Sequence, residues 1–242
     1  MARRLAVQGW ASLRFDLRGR GDSEGDEAGA DLGSMTEDSV EALRYLAEAY
    51  PGLRRVVLGI CSGANVGVGT LASTTVDGLV LWSMPTYGTQ SKVQAGLQQT
   101  QSALGKYFKK ALKLETWKKA VGGRLQLRMI AKAVFSPLQA STGRGGSVDR
   151  KSEAELDRIF LKALRSYAGP ILHVYGTADP QAGPGKKAFQ DMAAARPGST
   201  DFEDVPGANH SFYALPEEQQ VMELSLSWLE RTFPAQDTIH VR

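Results

Sequence analysis

One short stretch limits the possible folds more than any other, because it predicts a strand that turns directly into a helix. Arg55–Ile60 is nearly all apolar, as expected of a strand buried on both faces of a parallel sheet. The small residues that follow predict a helix beginning at Ser62. Gly59 and Gly63 flank Cys61 at two positions on either side, which leaves room for a strained residue at the apex of such a turn. Cys61 is therefore the predicted apex, with Ser62 one position beyond it.

Two later loops each place a reactive residue type after a predicted strand. Pro170–Tyr175 predicts a strand, and the loop that follows it contains Asp179. The last predicted strand lies near Thr200–Val205, and His210 lies in the loop between it and the final helix. Because the carboxyl ends of parallel strands meet at one edge of a sheet, we expect Cys61, Asp179 and His210 to converge in one cleft there.

Predicted strands and helices alternate on both sides of a middle segment, which indicates a mostly parallel α/β sheet of about five strands. The predicted strands are Trp10–Leu17, Arg55–Ile60, Leu79–Trp82, Pro170–Tyr175 and a strand near Thr200–Val205. The predicted helices run from Thr36, as N-cap, to Tyr50, from Ser62 onwards, and over residues 185–196 and 216–232. Residues 1–85 and 166–242 are thus predicted to form the core, and residues 86–165 a basic helical cap inserted in it.

Charge distinguishes the predicted cap from the rest of the chain. Residues 86–165 contain 10 lysines and 6 arginines against 5 acidic residues, a net charge of +11, whereas the remaining residues carry −8. Basic amphipathic helices are predicted near residues 104–114 and 125–135. Two interpretations remain open, namely a basic surface that faces an acidic partner, and a solvated helical face whose lysines alternate with buried leucines.

The composition excludes several classes of protein. A single cysteine excludes a disulfide scaffold, and no run of 18 apolar residues is present that could span a membrane. The N-terminal residues lack the apolar run of a signal peptide, so we expect a cytoplasmic protein. No two histidines or cysteines have the spacing of metal ligands, and neither a metal nor another cofactor is expected.

Two binding functions are weaker interpretations of the sequence. Gly19 and Gly21 follow a predicted strand, as in nucleotide-binding loops. The acidic, glycine-rich residues 23–33 come next, however, and they would repel a pyrophosphate instead of opening a helix beneath it. The aromatic residues of the basic segment have the spacing of core residues rather than of a stacking platform for bases, so no nucleic-acid partner is expected.

Four motifs, taken in chain order, resemble those of the α/β-hydrolase superfamily. They are the Asp16–Ser23 loop, the turn at Cys61, the Gly-Thr-Ala-Asp loop that ends at Asp179 and the Gly-Ala-Asn-His loop that ends at His210. Their types and spacing are similar to those of serine aminopeptidase-like hydrolases, and the order nucleophile, acid, histidine is that of the superfamily. The cysteine at the turn and the segment Leu114–Lys119 further resemble the hydrolases associated with exosortase A systems.

The resemblance implies a Cys-His-Asp triad that acts on an ester or thioester, as a hydrolase or an acyl transferase. His210 and the helix N-terminus at Ser62 would favour the thiolate of Cys61, since a free thiol has a pKa near ~8.5. Asp179 would orient His210, and the backbone N–H of Ser62 would donate to the oxyanion. The basic cap favours an anionic acyl substrate, such as a thioester of coenzyme A or of an acidic carrier protein. His173, within a predicted strand, is expected to be a core residue.

The resemblance begins at the helix that follows the third strand of the superfamily's sheet, which implies that strands 1–3 are absent. In that sheet the third strand lies between the strands equivalent to Trp10–Leu17 and Arg55–Ile60. We expect these two strands to pair directly here, because a row of unpaired buried backbone groups would cost more than the whole stability of a domain. The alternative function is that of a catalytically weak or inactive α/β-hydrolase fragment with a binding role.

Overall fold

The computed structural model describes residues 1–25, 31–87 and 147–234, with the side chains of residues 147–153 left out. The basic helices predicted near residues 104–114 and 125–135 lie outside these ranges. The described helices are α1 (Ala2–Val7), α2 (Leu32–Ala49), α3 (Ser62–Thr70), α4 (Ser147–Ser166), α5 (Ala182–Ala193) and α6 (Leu215–Thr232). The described strands are β1 (Val56–Ile60), β2 (Gly78–Trp82), β3 (Ile171–Gly176) and β4 (Thr200–Val205).

The four strands form one parallel sheet in the order β1-β2-β3-β4. In the register of this sheet Ile60 lies opposite Trp82, and Trp82 lies opposite Val174. The strands therefore end together at one edge, so the loops that follow β1, β3 and β4 leave the sheet side by side. This arrangement confirms the predicted α/β class.

The number of strands and the pairing of the first one were predicted wrongly. Trp10–Leu17 forms no strand, and β1 pairs only with β2 within the described sheet, which has four strands and not five. Side-chain contacts hold the segment instead: the Trp10 ring packs edge-on against Phe233 with 6.0 Å between centroids, and the Ser23 hydroxyl donates to the Asp16 carbonyl at 2.7 Å. An alternation of apolar and polar residues forms a strand only where a partner strand lies alongside. The residues of the segment itself do not show whether such a partner is present.

The sheet separates two clusters of buried side chains, because successive residues of a strand point to opposite faces. On one face Leu79, Leu81 and Ile171 pack with residues of α2, α3, α4 and α5. On the other face Val80, Leu172 and Val174 pack with residues of α6. Both faces are covered by helices, as a parallel sheet requires, and this explains the continuous apolar runs of β2 and β3.

Helices α2 and α4 both contribute side chains to the first of these clusters. Asp31 caps α2: its Oδ1 accepts from the Ser34 N–H at 2.8 Å, so the helix begins before Thr36, the residue predicted as its cap.

The second half of α4 contributes Phe160 and Leu164 to the core. Main-chain contacts group Met1–Tyr87 with Leu156–Arg242 as one compact unit. The predicted core and cap boundaries stay predictions.

Candidate active site

Cys61 lies at the apex of the turn between β1 and α3, in a backbone conformation that few side chains adopt. Its φ is 54° and its ψ is −121°, and its N–H donates to the Trp82 carbonyl at 2.9 Å. A Cβ on Gly59 would lie 2.3 Å from the Gly63 carbonyl oxygen, so only glycine fits at that flank. A Cβ on Gly63 would have no described atom within 4 Å, so space does not require glycine at the second flank.

The loops that follow β3 and β4 are fastened to each other by the backbone. The Thr177 N–H donates to the Val205 carbonyl at 3.1 Å, and the Ala178 N–H donates to the Ala208 carbonyl at 2.9 Å. A Cβ on Gly176 would lie 2.3 Å from the Ala208 carbonyl oxygen, so this close approach depends on glycine. The acid loop and the histidine loop thus form one unit at the carboxyl edge of the sheet.

Asp179 and His210 meet where these loops lie together. The Asp179 Oδ2 is 2.7 Å from the His210 Nδ1, and its Oδ1 accepts from the Gln181 N–H at 2.9 Å. The carboxylate is buried, so these two hydrogen bonds replace the water that it has lost. Asn209 shapes the histidine loop, because its Oδ1 accepts from the Ser211 N–H at 2.9 Å in an Asx turn.

The Cys61 thiol lies close enough to the His210 imidazole for the two groups to shift each other's pKa, and Asp179 holds His210 from the other side of the ring. The hydrogen bond to His210 lowers the pKa of Cys61, and partial burial opposes this shift. The hydrogen bonds to Asp179 and Cys61 raise the pKa of His210 from 6.5 to about 10. Both shifts have the sign of a thiolate–imidazolium ion pair at neutral pH.

Ser62, the serine beside the apex, is placed differently from Cys61. Its side chain is exposed, and within the described part of the chain its hydroxyl makes no hydrogen bond. Its backbone N–H, at the start of α3, helps to lower the pKa of Cys61 and so favours the thiolate. The oxyanion role of this N–H stays a prediction.

The rival histidine of the sequence, His173, lies in the core as predicted. It is buried, and its ring stacks between Phe189 and Phe202, with 5.0 Å between centroids on each side. Burial lowers the pKa of His173 to about 3, so it stays neutral. In the described ranges no cluster of three potential metal ligands occurs, and none of the helices there could cross a membrane.

Two residues that support the site carry no clear signal in the sequence. Phe212 has a left-handed φ of 49° and is buried, with its ring edge-on to Trp82 at 6.1 Å between centroids. This contact anchors the histidine loop to the end of β2. Ser83, directly after β2, also has a positive φ of 46° and is buried. In the sequence, the only sign of this contact is a phenylalanine two positions after His210. Its packing partner lies at the end of β2, far away in the chain.

The fold and the site together define an α/β hydrolase. A family model for serine aminopeptidase, S33, matches residues 1–135, which is more than half of the 242 residues. The chain therefore belongs to this family, as its motifs implied. The match includes the turn at Cys61 and ends before Asp179 and His210. The closer resemblance to hydrolases of exosortase A systems stays a prediction. No curated protein has a significantly similar sequence.

Solved structures with the same fold are distant in sequence. Mouse alpha/beta hydrolase domain-containing protein 10 superposes with a TM-score of 0.58 at 13% identity, covering 95% of this chain and 82% of that one. An esterase of Pyrococcus furiosus gives 0.57 at 19% identity, with coverage of 94% and 72%. DcsB in complex with its substrate analogue gives 0.56 at 15%, with 96% and 84%. At these identities the likeness concerns the fold alone.

Proposed function

We propose that this protein is an acyl hydrolase or acyl transferase that uses Cys61 as nucleophile, His210 as proton carrier and Asp179 as the residue that orients the histidine. The single observation that carries the proposal is the hydrogen bond of 2.7 Å between Asp179 and His210, beside a cysteine held at a strained apex with a φ of 54°. A core cysteine without a catalytic role has no need of a strained apex conformation or of an adjacent imidazolium.

The ion pair determines the order of proton transfers. The Cys61 thiolate adds to the acyl carbonyl, and the Ser62 N–H donates to the oxyanion that forms. As the carbonyl re-forms, the bond to the leaving group breaks, and the His210 imidazolium protonates that group. The product is a thioester between Cys61 and the acyl group. Neutral His210 then takes a proton from water or from an acceptor alcohol or thiol, which attacks the thioester and releases Cys61.

An ester or thioester suits this site better than an amide. A thiolate exchanges readily with a thioester, since the bond formed and the bond broken are of the same kind. The net charge of +11 over residues 86–165 further favours an anionic acyl donor, such as a thioester of coenzyme A or of an acidic carrier protein. Esterase activity and thioesterase activity are thus both part of the proposal.

The test follows the acyl-enzyme directly. The protein is mixed in separate experiments with a p-nitrophenyl ester and with a coenzyme A thioester. Release of the leaving group is followed over time, and the mass of the intact protein is measured by mass spectrometry. We expect a burst of leaving group and a protein carrying one acyl group on Cys61. Cys61→Ala abolishes both, whereas the matched control Ser62→Ala keeps the acylation, because only the backbone of Ser62 takes part. Substrate binding without any acylation would instead support the inactive binding protein.

A further inference from the structure

The core histidine has no part in the proposed chemistry, yet it lies where the acid and the histidine of the site are held in place. The ring of His173, on β3, is stacked between Phe189 on α5 and Phe202 on β4, with 5.0 Å between centroids on each side. Strand β3 leads to Asp179, β4 leads to the loop of His210, and α5 begins directly after the Asp179 loop. The imidazole therefore joins the elements that position both residues.

The surroundings of His173 accept the neutral imidazole and disfavour the charged one. The residue is only 2% exposed, and within the described part of the chain its Nδ1 has no hydrogen-bond partner. Both ring nitrogens are donors in the protonated form, so protonation in place would leave a buried N–H unpaired at Nδ1. A charge taken out of water without such a partner is strongly unfavourable, and the closed core therefore excludes the proton.

The groups around His173 do not compensate a positive charge. On β2 the residue opposite it is Leu81, and the two phenylalanines of β4 and α5 cover its ring faces. Tyr175, on β3, stacks parallel to it at 6.1 Å, and burial raises the pKa of this phenol, which stays neutral. Arg196, after α5, is a fixed cation, because it donates to main-chain carbonyls at the end of α4 and just beyond it. Burial, and secondly the charge of Arg196, lower the pKa of His173 to about 3.

We propose that His173 makes the packed half of the site sensitive to mild acid, through an opened state in which β4 and α5 have moved away from the imidazole and the ring takes up a proton. Acid then favours the opened state by mass action, because only that state binds the proton well. The hydrogen bond between Asp179 and His210 depends on the same elements and is lost when they separate. The device lies in the core and does not involve the sulfur of Cys61, so it is independent of the proposed catalytic chemistry.

Proton linkage gives the sign and the size of this effect. The pKa of His173 falls from 6.5 in the unfolded chain to about 3 in the folded one, so its stabilising contribution is complete above 6.5 and is lost as the pH falls towards 3. The pKa of His210 is raised to about 10, so its contribution has the opposite sign and is already complete below 6.5. Carboxylates titrate near pH ~4. The range from about pH 6 to about pH 5 therefore isolates His173.

The test is urea denaturation of the full chain at about pH 6 and about pH 5. His173→Phe keeps an aromatic ring in the stack and removes the titrating group, and His173→Leu does so with a smaller side chain in case the larger ring does not fit. On acidification, the unfolding equilibrium constant should rise ~8-fold more in the wild type than in either variant. The comparison uses the change with pH within each protein, so a constant difference in stability does not affect it. The control His210→Gln should keep the wild-type change to within ~2-fold.

Hydrogen exchange followed by mass spectrometry locates the opening. With wild type and His173→Phe compared at the same acid pH, amides of β3, β4 and α5 should exchange faster in the wild type, whereas those of β1 and α3 should exchange alike in both. An equal response to pH in the wild type and both His173 variants would overturn the proposal. Faster exchange of the wild type in β1 and α3 to the same extent would also overturn it, because the opening would then not be confined to the packed half.

Discussion

The strand that carries the nucleophile and the strand that carries the acid are built differently. All six residues of β3, which leads to Asp179, are buried between β2 and β4. In β1, which leads to Cys61, only Gly59 is buried, and Leu58 and Ile60 are each 38% exposed. The acid therefore rests on the packed centre of the sheet, and hydrogen bonds fasten the histidine loop to it. The nucleophile rests on a strand with one described neighbour.

This difference indicates that the two halves of the site depend on different forces. Around β3, burial and the hydrogen bonds between the two loops hold Asp179 and His210 in position. Around β1, the position of Cys61 depends on backbone geometry, namely the close approach of Gly59 to Gly63 and the hydrogen bond to the Trp82 carbonyl. Substitutions in the two regions should consequently affect stability and chemistry in different proportions.

The largest effect is expected in the packed half. Trp228 on α6 is fully buried in the cluster that also contains Leu172 and Val174 of β3. Its Nε1–H donates to the Asp201 carboxylate at 2.7 Å. Trp228→Ala leaves a cavity, so the free energy of unfolding should fall by about 3–5 kcal/mol, as measured by urea denaturation. The comparison variant Ile60→Ala should cost less than ~1.5 kcal/mol, because this side chain is partly in water. Equal costs would refute the distinction between the two strands.

A smaller cost in stability, with a larger effect on chemistry, is expected at the turn. Gly59→Ala places a Cβ against the Gly63 carbonyl, which must move, at a cost of ~1–3 kcal/mol. A shift of about 1 Å at Cys61 can slow acylation ~100-fold. Gly63→Ala meets no described atom and lies in a helix, so it should be neutral or stabilise by up to ~1 kcal/mol. Burst kinetics and urea denaturation of both variants test this, and a tolerated Gly59→Ala would contradict it.

The same contrast explains what the sequence could predict. Strands β2 and β3 were predictable, because a strand buried on both faces has a continuous apolar sequence. The turn at Cys61 was also predictable, since its glycine spacing is a local signal. Trp10–Leu17 was predicted wrongly, because its alternation indicates strand propensity but not the presence of a partner. The packing of Phe212 on Trp82 could not be predicted, because it joins elements 130 positions apart in the chain.

Alkylation against pH examines how the two halves act together. Since the hydrogen bond to His210 lowers the pKa of Cys61, labelling by iodoacetamide should have its midpoint below the free-thiol value of ~8.5, and His210→Ala should raise that midpoint. Acylation needs thiolate and imidazolium together, so its rate should rise through the pKa of Cys61 and fall as the pH passes about 10, the pKa of His210. Asp179→Asn removes the largest cause of the raised pKa of His210, so the alkaline limb should move to lower pH.

A midpoint at the free-thiol value that does not respond to His210→Ala would contradict this ion pair. Ser62→Ala is the matched control for these profiles, because it alters a side chain beside Cys61 and leaves the backbone N–H in place. We expect its alkylation profile to overlay that of the wild type.

The smallest effect is expected from a polar substitution on β1. Ile60→Thr keeps a β-branched side chain, which suits a strand, and exposes a hydroxyl where the isoleucine is already partly in water, so the free energy of unfolding should change by less than ~1 kcal/mol. The same kind of change at Val80→Thr, in the buried centre of the sheet, should cost ~1–3 kcal/mol, because its hydroxyl would lack a partner. Ile60→Thr should also reduce light scattering on storage, since apolar edge strands favour association between chains. A larger cost at Ile60 than at Val80 would show that the nucleophile strand depends on side-chain burial after all.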